Sequence, residues 1–75
     1  MGEHTVHSFD EELDNVDRLI RDMSDLAGSM LQAATRSLID SDNAMAQRVI
    51  SDDAIMDARQ RELDEAAITL IAKRQ

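Results

Sequence analysis

Seventy-five residues allow one domain at most, and at that size a single hydrophobic core is marginal. A formal charge of −8 repels nucleic acid and anionic lipid and favours cations or basic protein surfaces as partners. Cysteine and proline are absent, glycine stands only at Gly2 and Gly28, and Phe9 is the lone aromatic, which excludes a disulfide framework, a thiolate metal site and a sheet core and leaves an all-α chain.

Residues 1–7 read as a polar, flexible tail. Ser8 and Glu11 have the spacing of a capping box, and Asp10, Glu11, Glu12 and Asp14 follow where the positive end of a helix dipole would favour acids. Phe9, Leu13, Val16, Ile20, Met23, Ala27, Met30 and Ala34 then recur at alternating fours and threes, a heptad seam. Leu19, Leu26 and Ala33 add a second line, so the apolar face is wide enough for two neighbouring helices. Gly28 lies within this helix as an exposed interior glycine. The cluster Asp40-Ser41-Asp42-Asn43 predicts a turn and an N-cap, ending the first helix near Leu38 or Ile39.

The second helix is expected to carry its seam at Ala46, Val49, Asp53, Met56, Gln60, Leu63, Ala67 and Leu70, with Lys73 and Arg74 at its negative end. Two helices, about 8–39 and 42–74, joined by a short turn make an antiparallel hairpin. Ile50, Ile55, Ile68 and Ile71 fall away from any single narrow line. A third helix or a second copy of the chain is therefore needed to cover them, giving a three-helix bundle or a dimeric four-helix bundle. No run approaches the roughly 20 apolar residues of a membrane span, and no signal-peptide pattern is present, so a cytoplasmic protein without membrane insertion is expected.

One stripe of the second helix departs from its apolar surroundings. Asp53, Asp57, Gln60 and Asp64 fall at i, i+4, i+7 and i+11, in line with Ala46 and Ile50 before them and Ala67 and Ile71 after. Acids beside a core are solvated, paired or bound to a cation. Carboxylates one turn apart suit hard or borderline cations bound through oxygen, but one helix supplies too few ligands for a closed site. The spacing leaves two readings open: a solvated flank with Arg59 or Arg61 as exposed partners, or half of a cation site shared with another helix. Nucleophilic catalysis has no support, because the serines are scattered and the only histidines, His4 and His7, lie in the tail. The chain also lacks a glycine-rich phosphate loop and a Glu-x-x-His motif.

His4-Thr5-Val6 followed by Phe9-Asp10-Glu11-Glu12-Leu13 resembles the start of the PhoU family of phosphate-uptake regulators. So do Ala46-Gln47-Arg48-Val49-Ile50, Asp53, Met56-Asp57, Leu63-Asp64-Glu65-Ala66 and Leu70-Ile71-Ala72-Lys73-Arg74-Gln75 in the second helix. The resemblance covers the chain but only about the first third of a family member. It implies two similar three-helix bundles in the whole protein, of which this chain is the N-terminal part of the first. It implies a non-enzymatic negative regulator of phosphate-starvation signalling and phosphate uptake, working through a sensor histidine kinase and a phosphate ABC transporter. It also implies metal binding at acidic helix motifs, with Fe, Mn or Mg as the candidate divalent cation. Asp53 and Asp57 match the family's acids. Gln60 stands where a Glu is frequent, and its neutral amide weakens cation binding. Asp64 reads as the solvated end of the line. The family's better-known acidic motif lies on a third helix, outside this chain. A ligand-free helical dimerisation or assembly module is the alternative reading.

Overall fold

The computed structural model describes the backbone of residues 2–74 and the side chains of residues 8–73. The chain folds into two helices, α1 (Gly2–Asp40) and α2 (Asn43–Arg74), packed antiparallel as a hairpin. At about 1.5 Å per residue α1 is about 58 Å long, which accounts for the 59 Å long axis of a molecule only 15 × 13 Å across. The all-α hairpin is thus the fold that composition and periodicity predict.

The start of α1 differs from the expectation. Helical backbone begins at Gly2, so Ser8 lies within the helix and is not its N-cap. A cap contributes only about 1 kcal/mol, so continued helix competes easily with it. The acids from Asp10 onward then lie beyond the first turn, where the dipole acts most strongly. Ser8 has another use. It lies at the level of the end of α2, and its hydroxyl accepts a hydrogen bond from Lys73 Nζ at 3.0 Å. The same ammonium pairs with Glu12 Oε1. Lys73 therefore ties the open end of the hairpin rather than only complementing its own helix dipole.

The turn is Ser41 and Asp42, as short as the predicted helix bounds make it and one residue later. Ser41 adopts a left-handed backbone, φ 53°. The Asp42 amide donates back to the Ser37 carbonyl at 3.0 Å, the long closing bond of a Schellman motif. Asp42 also opens α2: its Oδ1 accepts from the Met45 amide at 3.0 Å and its carbonyl from the Ala46 amide at 3.1 Å. Within the Asp40–Asn43 cluster Asp42 is the cap, and it serves both helices at once.

The seam of α1 is rotated by one line from the predicted one, and that of α2 is wider than predicted. The buried and half-buried line of α1 runs Glu12, Val16, Leu19, Met23, Leu26, Met30, Ala33, Ser37, with Ala34 beside it, and that of α2 runs Met45, Val49, Asp52, Met56, Arg59, Leu63, Ala66, Leu70, with Ala46 and Ala67 beside it. Val16, Met23 and Met30 in α1, and Val49, Met56, Leu63 and Leu70 in α2, were expected there. In α1 the companion line is not Leu13, Ile20 and Ala27 but Leu19, Leu26 and Ala33; in α2 Asp53 and Gln60 are exposed while Ala46 and Ala67 are half-buried as predicted, and Met45, Asp52, Arg59 and Ala66 join them. Long polar side chains make this possible, because the stem of Arg59 or Glu12 covers apolar neighbours while the charged end reaches water. Leu19, 6% exposed, is the one fully buried residue of the described core.

Candidate functional site

The acidic stripe lies on one broad side of the hairpin, and the clefts identify which. Glu12, Asn15 and Leu19 of α1 share a cleft with Glu62, Glu65, Ala66 and Thr69 of α2, and nearer the turn Ser29, Gln32 and Arg36 share one with Arg48 and Asp52. These residues define the polar side. Helical periodicity places Leu13, Ile20, Ala27 and Ala34 of α1 on the other side, together with Ala46, Asp53, Gln60 and Ala67 of α2. Leu13 and Ile20 are nearly half exposed, and Leu31, Leu38, Ile50 and Ile71 extend the apolar surface outward. The wide face anticipated from the sequence is therefore real and open.

The structure keeps the stripe together and in solvent. Asp53, Asp57, Gln60 and Asp64 are all exposed. The register set by the Lys73–Ser8 bond puts Asp53 level with Gly28 and Asp64 level with Asp17. Asp17 is held by Arg21 on its own helix at 3.0 Å. Arg59, an expected partner for the stripe, turns instead to Glu62 at 2.7 Å. The stripe is flanked by apolar surface at both ends, with Ala46 and Ile50 towards the turn and Ala67 and Ile71 towards the open end.

As a cation site this donor set is incomplete. Two carboxylates one turn apart supply two oxygens readily, whereas Ca or Mg takes at least six ligands. Among the described residues no group of three or more acidic or histidine side chains is placed to hold a metal ion. The side chains of His4 and His7 fall outside the described residues. Two features escaped the sequence reading. Lys73 bridges Ser8 and Glu12 across the hairpin, with Glu12 Oε2 buried and without a partner among the described residues, and Asp52 rather than Asp53 lies at the seam. Only a register between helices reveals the first. The second is an i, i+1 ambiguity that periodicity does not resolve. Among the described residues no helix is long and apolar enough to cross a membrane.

Against this geometry, comparison with known proteins is informative. A family model described as "PhoU domain" matches residues 20–75. A "Phosphate-specific transport system accessory protein PhoU homolog" of Rhizobium meliloti is 49% identical over 72 residues, covering 96% of this chain and 30% of the relative. A protein of the same description from Caulobacter vibrioides is 35% identical over 75 residues, covering 100% of this chain and 33% of the relative. The "Phosphate-specific transport system accessory protein PhoU" of Serratia marcescens is 31% identical over 75 residues, covering 100% of this chain and 31% of the relative. The chain thus spans about a third of the length of the curated relatives it matches. No solved structure matches it.

Proposed function

The chain belongs to the PhoU domain family, and from that premise we propose that it forms part of a non-enzymatic accessory protein that restrains phosphate uptake and phosphate-starvation signalling. The observation that carries this reading is the 49% identity to a phosphate-specific transport accessory homologue across nearly the whole chain. The charge supports a mechanism of surface contact. An acidic, solvent-facing hairpin with no nucleophile–base pair among its described residues is suited to docking on basic protein surfaces. A cytoplasmic sensor-kinase domain and the cytoplasmic face of a phosphate ABC transporter are the proposed partners. A chimera tests the reading: this chain replaces the matching third of the Rhizobium meliloti relative in cells lacking that protein. Restored restraint of phosphate uptake at high phosphate is expected. A folded, accumulated chimera that leaves uptake unrestrained overturns it.

Asp53 and Asp57 take a subsidiary role in this proposal, as two carboxylates of a divalent-cation site completed by the element that covers the open face. The chain by itself supplies too few ligands, so calorimetric titration with Mg, Mn or Fe(II) is expected to give no specific heat. A longer protein is expected to bind, and to lose binding in Asp53→Ala/Asp57→Ala. Binding unchanged by that double substitution removes these residues from the site.

A further inference from the structure

The seam between the helices carries one residue type that the regulatory reading does not use. The chain has five methionines, and those beyond Met1 (Met23, Met30, Met45 and Met56) all lie half-buried on the line where α1 meets α2. Methionine serves as a filler of irregular core space. Its thioether is also open to oxidation, and cysteine, tryptophan and tyrosine are absent from this chain. A two-electron oxidant therefore finds its readiest targets on the seam itself.

Three of these methionines share the middle of the hairpin. The register set by the Lys73–Ser8 bond puts Met56 level with Asp25, about 3 Å along the axis from Met23 and about 8 Å from Met30. Between Leu19 and Ala33 the apolar residues on the seam line are Met23, Leu26 and Met30, with Val49 and Met56 opposite them, and Asp52 and Arg59 are its polar members. Thioethers thus supply most of the apolar contact along this stretch. The hairpin is only 15 × 13 Å across, and Leu19 is its one fully buried described residue. Each methionine side chain reaches solvent in part, where a small oxidant meets it. Met45 has different surroundings. It lines the cleft near the turn with Gln32, Arg36 and Arg48, whose N–H groups are suited to donate to a sulfoxide oxygen.

We propose that Met23, Met30 and Met56 are an oxidation site through which peroxide opens the middle of the hairpin. The sulfur lone pair attacks one oxygen of hydrogen peroxide, the O–O bond breaks, and water leaves after proton transfer. Sulfur is oxidised to the sulfoxide and the peroxide is reduced. The new oxygen is a strong acceptor, but Leu26 and Val49 beside it offer no side-chain donor. Arg59, the nearest cation on the seam line, is engaged by Glu62 at 2.7 Å. An acceptor left unpaired between the helices is costly, so the helices part until water reaches it. Reduction of the sulfoxide by a thiol-dependent reductase removes that oxygen as water and lets the seam close again. This site stands independently of the phosphate-transport reading.

Hydrogen peroxide treatment of the 75-residue chain tests this. Peptide mass spectrometry locates each added oxygen, and circular dichroism at one fixed protein concentration gives the thermal midpoint. Chain oxidised at 23, 30 and 56 is expected to melt roughly 10 °C or more below the reduced chain. Methionine sulfoxide reductases for both epimers, with dithiothreitol, should return the midpoint to its starting value. Met23→Leu/Met30→Leu/Met56→Leu keeps the seam apolar and of similar volume, and its midpoint should not move on peroxide treatment although Met45 still oxidises. Met45→Leu should fall as the unaltered chain does. A midpoint unmoved by full oxidation, a drop that persists in the triple variant, or a drop abolished by Met45→Leu overturns the proposal. Should the triple variant fail to fold, reductase recovery of the unaltered chain decides: a midpoint that returns supports the site, and one that stays low marks general damage and overturns it.

Discussion

Two positions show how single residues set local stability. Ser41 carries the left-handed conformation that closes α1. A side chain there costs roughly 1–2 kcal/mol relative to glycine, partly offset by glycine's greater freedom in the unfolded chain. Ser41→Gly is therefore expected to stabilise the hairpin by about 0.5–1 kcal/mol. Gly28 has the reverse logic. Its φ is not positive, and a Cβ built on it meets nothing within 4 Å. Gly28→Ala should stabilise α1 by about 1 kcal/mol. Thermal unfolding followed by circular dichroism checks both, and a lower midpoint for either contradicts the local account. Lys73 differs from both. It crosses between helices, but its pairing with Glu12 is partly exposed, so Lys73→Ala should cost less than about 1 kcal/mol.

At the scale of the elements, the sequence predicts helix, turn and wide apolar face, and the structure has all three. What it left ambiguous is the rotation of each helix about its axis. Leu13 and Ile20 are as hydrophobic as Leu19 and Leu26, and Ala46 and Ala67 are as small as Ala66, so composition does not rank the two candidate lines. Packing does: Leu19 is buried while Ile20 is 48% exposed. The acidic stripe inherits the same ambiguity. Its residues were correctly placed on one face, but a register between two helices was needed to show that the face is open rather than part of the hairpin seam. The N-terminal boundary failed for a different reason, since a capping signal is weak against a helix that can simply continue. Neighbouring truncations separate the two lines. Leu19→Ala is expected to cost about 2–3 kcal/mol, enough to melt much of so small a structure. Ile20→Ala should cost less than about 1 kcal/mol in the chain alone, because its side chain is already largely wet. Equal losses in denaturant unfolding would return the seam to the line predicted from the sequence.

For the whole molecule the open face has an energetic consequence. The chain exposes 5940 Å², whereas a compact domain of 8.4 kDa exposes roughly 4,600 Å². The difference, roughly 1,300 Å², is of the order that a stable interface buries, and the uncovered Leu13, Ile20, Leu31, Leu38, Ile50 and Ile71 contribute to it. A hairpin with Leu19 as its only fully buried described residue lacks the interior to hold its helices firmly against conformational entropy. Cover from another helix, whether from further sequence or a second copy, therefore contributes directly to folding. Any helix that covers this face also meets Asp53, Asp57 and Asp64, and carboxylates removed from water must find a cation or a basic side chain. Symmetric self-association through the apolar face sets acids near acids, so it is weaker at low ionic strength than its area suggests. Where a second copy of the 75-residue chain supplies that cover, mass action raises the thermal midpoint with protein concentration. Midpoints measured by circular dichroism over a roughly hundredfold concentration range should climb by several degrees. Raising the salt should lift the midpoints further, because it screens the acids that the open face brings together. A concentration-independent midpoint with a sharp, cooperative transition would mean that the hairpin is stable without cover, and the account of its exposed face would then fail.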